Sequence, residues 1–409
     1  MLCCRNSYYV PLFLLVLLRF APKENNFNEE YLKTICEYDT QKLCPECFKD
    51  SPKCEQIDFF KPHWSSWSNR INSLFHGHSS LIGTFAGQSS LAVINRLNRD
   101  NTIEQLLLEY CKIRSSADTQ CSWTDAGSVD YAVTYLKKAI LEDSRIEGCI
   151  ICPSSNKEQS LNRFLNTVEP TMNELRKLLI LHTNVKPLLL ALMSLRGGLF
   201  PVPKLLLLFG FSTIESFDGE PLNNFYDRPL LVRIRIAREL IRAAISFTTG
   251  IEGFRFFLTD LTPDNVVVRL GNDPKDVAIS IVDLDNVIIV DSLADGISEH
   301  HNYHVHSKIE CDGCFAYVQA DICRYRNSDL NLFATCQLLL EDMNGNSVAG
   351  LLNSDRTQRS SDFTSQEDNP ATTLHNLLQE CVSCIPPTCR NRSIILENIL
   401  DIIKYHSSR

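Results

Sequence analysis

Two apolar runs rich in β-branched residues, Val266–Arg269 and Val277–Val282, are separated by a turn of glycine, asparagine, aspartate and proline. This pattern predicts a β-hairpin. Asp260 and Asn265 precede the first strand and Asp283 follows the second, so we expect three oxygen-bearing side chains at one end of the hairpin. A Mg-nucleotide site needs such a set, because it requires a base for the attacking hydroxyl and two metal ligands.

The rest of the pattern places further strands and helices before the hairpin. Gly83 and Gly87 lie between two apolar runs that predict a strand pair, and they favour either close approach to a phosphate or an ordinary hairpin turn. Apolar residues at helical spacing predict several helices, with Pro170 and Pro187 as breaks. The predicted helices are Thr102–Arg114, Ala132–Leu141, Leu161–Thr183 and Pro229–Thr249, and a second strand pair spans Leu205–Phe209 and Phe211–Phe217.

Composition narrows the class of protein. The chain has 409 residues, 44% of them hydrophobic, which is enough for a sizeable core. The net charge of −9 argues against nucleic acid as a partner, because a nucleic-acid-binding protein usually carries a basic surface. The 17 cysteines are typical of a chain that folds in an oxidising compartment.

The amino-terminal sequence indicates a route into that compartment. Val10–Leu18 is a continuous apolar run after Arg5, too short to span a bilayer comfortably and typical of a signal-peptide core. The small residue Ala21 favours cleavage there, so residues 1–21 are predicted to be a signal peptide, with an uncleaved anchor helix as the alternative. After cleavage we expect no stable membrane span.

The cysteines occur partly in C-x-x-C pairs. This spacing is found in zinc sites of cytosolic chains, whereas behind a signal peptide it favours disulfide bonds. The spacing does not give the connectivity. Asn391 begins an Asn-Arg-Ser sequence and is therefore a candidate glycosylation site. The four pairs are Cys44/Cys47, Cys149/Cys152, Cys311/Cys314 and Cys381/Cys384.

The order of the predicted elements and the motifs within them resemble a protein kinase. Thr259–Asn265 (TDLTPDN) is similar to the kinase catalytic loop, in which an asparagine follows the aspartate by five positions. Asp283 stands where kinases carry Asp-Phe-Gly, and Asp329 begins an apolar helix like the one whose buried aspartate braces a kinase catalytic loop. Together with cysteine-rich stretches such as Cys44–Cys54 and Ile309–Cys323, these motifs resemble the divergent, cysteine-rich protein-kinase-like family of the secretory pathway, the deleted-in-autism protein group.

This resemblance implies an α+β, bilobal protein-kinase-like fold with a disulfide-rich N-terminal extension. Residues 22–75 would form the cysteine-rich segment after the signal peptide. Residues 76–217 would form an N-lobe with a helical insertion, and residues 218–409 would form the C-lobe.

The resemblance also implies roles for the residues around the hairpin. Asp260 would be the catalytic base that accepts the proton of the substrate hydroxyl. Asn265 and Asp283 would hold the metal ions that bridge the nucleotide phosphates. Asp329 would be structural.

On the nucleotide side the resemblance implies four positions, and one of them departs from the family pattern. Gly83 and Gly87 would cover the phosphates. Asn95 occupies the position of the strand lysine, and a neutral amide cannot neutralise phosphates as an ammonium does. Glu104, in preference to Glu109, would be the helix acid that pairs with that lysine position.

Two functions therefore stay open. The retained Asp260, Asn265 and Asp283 favour a kinase that transfers phosphate from ATP, with Mg²⁺ or Mn²⁺, to a secreted or lumenal protein or a glycan. Asn95, together with Asp285 in place of the final glycine of Asp-Phe-Gly, favours a catalytically inactive pseudokinase. The pseudokinase would act as a secreted or Golgi signalling or scaffold protein, with a cell-surface receptor as one class of partner. In both readings the expected location is the Golgi or endoplasmic reticulum lumen or the cell exterior. A small-molecule phosphotransferase of the same bilobal fold is a third class.

Overall fold

The computed structural model describes residues 27–49, 54, 60–62, 80–85, 91–97, 101–114, 122–123, 129–142, 150–194, 198–273, 276–304, 317–341, 350–352, 370–383, 388 and 390–407. The predicted signal peptide and Gly87 lie outside these residues. The helices are α1 (Phe27–Tyr38), α2 (Thr102–Arg114), α3 (Val129–Glu142), α4 (Lys157–Thr167), α5 (Glu174–Thr183), α6 (Lys186–Ser194), α7 (Leu230–Thr249), α8 (Gln319–Arg324), α9 (Leu330–Leu340), α10 (Pro370–Ser383) and α11 (Arg392–Ser407).

The strands are short and fall into four sheets within the described part of the chain. They are β1 (Phe60–Pro62), β2 (Ser80–Phe85), β3 (Leu91–Arg96), β4 (Ile150–Cys152), β5 (Leu205–Phe209), β6 (Ser212–Ser216), β7 (Glu220–Pro221), β8 (Phe254–Phe257), β9 (Val266–Leu270), β10 (Val277–Ile281), β11 (Ile288–Asp291), β12 (Ser298–Asn302) and β13 (Tyr325–Ser328).

The first lobe is built on an antiparallel sheet in the order β1-β2-β3-β6-β5. The two predicted strand pairs form four of its strands, with β5 at one edge, and β1 adds the strand at the other edge. Ala92 and Ile94 point to one face, where they pack with Leu32 and Cys36 of α1. The amino-terminal segment therefore covers one face of the sheet and leaves the other face to the helices that follow β3.

The helices between β3 and β5 connect the two lobes. Strand β4 pairs in parallel with β11, which belongs to the second lobe. Arg163 of α4 donates from Nε to Oδ2 of the buried Asp291 at 2.8 Å, and the guanidinium stacks over the ring of Phe254. This insertion therefore contacts both lobes, although the domain boundaries given above stay a prediction.

The helix predictions hold with one difference. The predicted helix Thr102–Arg114 is α2, and Pro170 lies in the break between α4 and α5. Pro187 was expected to break a helix, but it lies in the first turn of α6. Proline is tolerated there because its missing N–H would have no intrahelical partner.

The second lobe is organised around α7, which is amphipathic and ends at Gly250. Gly250 has φ +78°, and a Cβ there would lie 1.9 Å from the carbonyl oxygen of Phe254, so no other residue fits the turn into β8. Helices α9 and α11 pack against α7, and α10 packs against both of them. One large core cluster extends through both lobes, and a smaller cluster lies between α1 and the sheet of the first lobe.

Disulfide bonds join described cysteines, as the sequence predicts for an oxidising compartment. Cys36–Cys54 and Cys44–Cys47 lie in the amino-terminal segment, so the expected disulfide-rich extension is confirmed. Cys152–Cys323 ties β4 to α8, and Cys336–Cys381 ties α9 to α10. Among the described helices, none has the length and apolarity needed to cross a bilayer.

Candidate functional site

The hairpin of β9 and β10 positions the candidate site. Its register pairs Val266 with Ile281, and the N–H of Val282 then donates to the carbonyl oxygen of Asn265 at 3.0 Å. Asp283 is the next residue. The hairpin therefore holds Asn265 and Asp283 side by side at one end, as the sequence predicts.

The loop before β9 connects Asp260 to the same end. The amide nitrogen Nδ2 of Asn265 donates to Oδ2 of Asp260 and to its carbonyl oxygen, both at 3.0 Å. Because Nδ2 is occupied in this way, Oδ1 is the atom of Asn265 that remains suited to accept a metal ion. Asp260 is exposed, whereas Leu258 and Leu261 on the same loop are buried and anchor it.

The segment between the lobes is docked on this hairpin. Strand β7 pairs with β9, and Asp218 accepts a hydrogen bond from the hydroxyl of Ser280 at 2.5 Å. Gly219 has φ +142°, and a Cβ there would lie 2.2 Å from the carbonyl oxygen of Val268. The glycine therefore allows the connection to run directly against the hairpin that carries the site.

Asn331 of α9 holds the end of β8, where the loop that carries Asp260 begins. Its Oδ1 accepts the N–H of Leu258 at 2.8 Å, and its Nδ2 donates to the carbonyl of Phe256 at 2.8 Å and to Thr248 at 3.1 Å. The resemblance implies a bracing contact of this kind for Asp329, two residues earlier. Sequence reasoning missed Asn331, although an amide within the mostly apolar run LNLFATCQLLL was a signal for a buried polar contact.

Asp329 makes different contacts. It forms an ion pair with Arg392 of α11 at 2.6 Å, and each side chain is 1% exposed. Its other oxygen accepts the N–H of the buried His304 at 2.6 Å. Asp329 thus joins α9 to the carboxy-terminal helix and to the segment after β12, which is a structural arrangement.

Asp283 is followed by a tight turn. Its Oδ1 accepts the N–H of Asp285 at 2.9 Å, and Thr259 of the catalytic loop donates its hydroxyl to the carbonyl of Asn286 at 2.6 Å. Among the described non-glycine residues, Asp285 is not one of those with positive φ. The aspartate at the position of the glycine in Asp-Phe-Gly is therefore accommodated without backbone strain.

Asn95 lies on β3, the third strand of the sheet, which is where kinases carry the lysine. It is paired with Thr213 of β6, and Val93 is paired with Glu215. Because Ala92 and Ile94 face α1, Asn95 and Val93 point to the opposite face. That face is partly open, since Ile82, the partner of Val93 on β2, is 37% exposed.

Glu104 lies in the first turn of α2, near the amino-terminal segment. It accepts a hydrogen bond from Tyr38, whose pKa is raised by burial and by this carboxylate. Burial also raises the pKa of the neighbouring Asp39 to about 6, against the lowering effect of the Phe211 N–H, which donates to Oδ2 at 2.9 Å, and of Arg96. The pairing of Glu104 with the strand-lysine position stays a prediction.

The remaining predicted residues are placed as follows. Gly83 lies inside β2, paired with Pro62 and Ala92, rather than in a loop. Glu109 lies in the middle of α2. Asn391 is exposed immediately before α11, and its glycosylation stays a prediction.

The residues at the hairpin end fit a magnesium ion that is shared with a nucleotide. Magnesium in such sites usually takes one or two protein oxygens and completes its shell with phosphates and water. Asn265 and Asp283 would be the two residues that hold such an ion, since each has a side-chain oxygen at this end of the hairpin. Among the residues that the structure describes, no group of three or more His, Cys, Asp or Glu side chains is placed to hold a metal ion.

Comparison with known proteins agrees with this geometry. The family model described as the protein-kinase domain of FAM69 matches residues 199–384, which include the hairpin, its loop and α9. Divergent protein kinase domain 2A of Xenopus tropicalis is 26% identical over 320 residues, or 73% of each chain. The human protein of that name is 26% identical over 321 residues, again 73% of each chain.

The solved structures similar to this chain include that of Rv3197 with erythromycin from Mycobacterium tuberculosis. It is 14% identical and covers 97% of this chain and 82% of its own. Its TM-score of 0.30 is too low to carry an argument about the fold.

Proposed function

We propose that this chain is a divergent protein-kinase-like protein that binds ATP with Mg²⁺ or Mn²⁺ and transfers phosphate to a secreted or lumenal protein or a glycan, and its similarity to the FAM69 kinase domain and to divergent protein kinase domain 2A supports this. The observation that carries the proposal is the closure of the β9–β10 hairpin. It holds Asp260, Asn265 and Asp283 at one accessible end, with Asn265 hydrogen-bonded to Asp260.

The arrangement supports different roles for these side chains, one as a base and two as metal ligands. Asp260 lies exposed on a loop whose apolar residues are buried, so its carboxylate is held in place while open to a substrate hydroxyl. It would accept the proton of that hydroxyl as the oxygen bonds to the γ-phosphorus and ADP leaves. Asn265 and Asp283 would hold the metal ions that neutralise the phosphates.

The location and partners are part of the same proposal. The disulfide bonds favour folding in an oxidising compartment, and this is consistent with the predicted signal peptide. The protein would then act in the Golgi or endoplasmic reticulum lumen or outside the cell, where its substrates are found.

Nucleotide binding is tested by thermal-shift titration with ATP and Mg²⁺ or Mn²⁺. We expect a concentration-dependent rise in Tm that is lost in Asp283→Ala. The matched control is Asp276→Ala, because Asp276 is an exposed aspartate at the other end of the same hairpin. No rise in the wild-type protein at millimolar ATP would refute nucleotide binding.

The alternative function is that of a pseudokinase, and Asn95 at the lysine position favours it. Transfer of labelled phosphate from ATP to secreted proteins and to glycans separates the two functions. A kinase loses this transfer in Asp260→Asn while keeping the nucleotide-dependent rise in Tm. A pseudokinase shows no transfer in the wild-type protein, and its partner would then be sought among cell-surface receptors.

A further inference from the structure

A buried ion pair lies on the same face of the first-lobe sheet as Asn95. Lys186, the first residue of α6, contacts Glu215 of β6 at 2.9 Å from Nζ to Oε2. The lysine side chain is 13% exposed and the glutamate side chain is 4% exposed. The other oxygen of Glu215 accepts the hydroxyl of Thr213 at 2.7 Å. The acid is therefore satisfied at both oxygens and holds the lysine in a defined position.

The register of the sheet places this pair next to the position of the missing lysine. Thr213 is the direct partner of Asn95 on β3, and Glu215 is the direct partner of Val93. Residues directly opposite each other on neighbouring strands point to the same face, and diagonal neighbours lie about 7–8 Å apart. Glu215 is thus a diagonal neighbour of Asn95, and the ammonium of Lys186 lies above the strands at this point.

The face that carries the pair is covered on one side and open on the other. Helix α6 packs on β5 and closes the part of the face that contains Glu215. On β2 and β3 the face is partly exposed at Ile82 and Val93. Lys186 therefore lies at the border between the helical layer and the open part of the face.

We infer that Lys186 supplies the phosphate-binding positive charge that the neutral Asn95 cannot supply. The ion pair would then have its acid, Glu215, on strand β6 and its cation, Lys186, on helix α6. This inference rests on the proposed nucleotide binding. A lysine is suited to the task because its ammonium is a compact charge on a flexible stem, so it can interact with an anion while it stays close to Glu215, whose other oxygen is held by Thr213. The ligand class is a nucleoside triphosphate, bound through its α- and β-phosphates.

The test compares Mg-ATP with adenosine as probes, by calorimetric titration of the full-length protein. Lys186→Met should weaken Mg-ATP binding at least about tenfold while leaving adenosine binding unchanged, because only the phosphates interact with the ammonium. Lys204→Met is the control, since Lys204 is an exposed lysine of the same lobe. It should bind both probes as the wild-type protein does.

Two further variants keep the test decisive if Lys186→Met fails to fold. Lys186→Met combined with Glu215→Leu removes both charges, which avoids leaving one of them unpaired in the interior. It should fold and show the same loss of Mg-ATP affinity. Lys186→Met combined with Asn95→Lys moves the cation to the strand, where it can pair with Glu215 diagonally, and should restore Mg-ATP affinity to within a few-fold of wild type.

The outcomes separate this inference from the proposed function. If the wild-type protein binds Mg-ATP and the variant without both charges binds it equally well, Lys186 has no role in phosphate binding and nucleotide binding stands. If adenosine binding falls as much as Mg-ATP binding, the pair is structural and the inference is overturned. If the wild-type protein binds neither probe, both the proposed function and the inference fall.

Discussion

The ion pair between Asp329 and Arg392 gives a prediction whose size follows from its burial. Asp329→Ala leaves a guanidinium that is 1% exposed without its anion, and it also removes the acceptor of the His304 N–H. Removing one partner of a buried pair costs about 3–5 kcal/mol, and an unsatisfied buried N–H adds about 1–3 kcal/mol. We therefore expect the free energy of unfolding to fall by about 4 kcal/mol or more.

The double variant separates the pair from its surroundings. Arg392→Met leaves a buried carboxylate and should cost a similar amount, whereas Asp329→Ala with Arg392→Met leaves neither charge behind and should cost less than the two single variants added together. Arg392 also donates from Nε to the carbonyl of Cys381 at 2.7 Å, so part of its cost will remain in the double variant.

Urea denaturation of the disulfide-intact protein, followed by fluorescence, measures these changes as shifts in the midpoint. Glu299→Ala is the control, because Glu299 pairs with Arg326 at 3.1 Å but is 81% exposed. An exposed pair of this kind contributes about 0–1 kcal/mol. If Asp329→Ala cost no more than Glu299→Ala, the argument from burial would be refuted.

Three further predictions concern other contacts. Burial raises the pKa of Asp39 in the folded state to about 6, above its ordinary value of 3.8. Between these two values the folded state binds more protons than the unfolded state, so the free energy of unfolding should fall as pH rises from about 4 to about 6 and level off above that. Asp39→Asn should flatten this dependence and raise stability at pH 7 by up to about 3 kcal/mol, measured by urea denaturation across pH; an unchanged profile would contradict it. Asn331→Ala should lower the free energy of unfolding by about 2 kcal/mol, because the buried N–H of Leu258 and the carbonyl of Phe256 lose their hydrogen-bond partner. A change under about 0.5 kcal/mol would show that Asn331 does not hold this segment in place. Replacing Cys152 and Cys323 together by serine should lower stability by about 5 kcal/mol, because the bond closes a separation of 171 residues; retained stability by the same assay would mean that the noncovalent contacts hold the insertion alone.

The sequence alone was sufficient for the local parts of the site. Asp260 and Asn265 precede β9 and Asp283 follows β10, and an antiparallel hairpin brings the start of its first strand beside the end of its second. The predicted helix Thr102–Arg114 matches α2 because its apolar periodicity reports a single buried face. The choice of disulfides over zinc followed from composition and compartment.

Contacts between distant segments depended on the tertiary structure. The pairing of β4 with β11 joins residues more than 130 positions apart, and periodicity describes exposure one element at a time without naming the partner. The bracing role went to Asn331 rather than Asp329 for the same reason, since both are buried at the start of one helix and only packing decides which faces the loop.

The position of Lys186 in the first lobe is the clearest case of a contact that sequence patterns do not give. The sequence determined that β3 carries a neutral asparagine where kinases carry a lysine. Only the tertiary structure placed Lys186, 91 positions later, beside the same face of the sheet through its ion pair with Glu215. The charge at a site depends on which side chains lie close together in space. The sequence motif of β3 therefore does not reveal a lysine that a distant helix places beside the same face of the sheet.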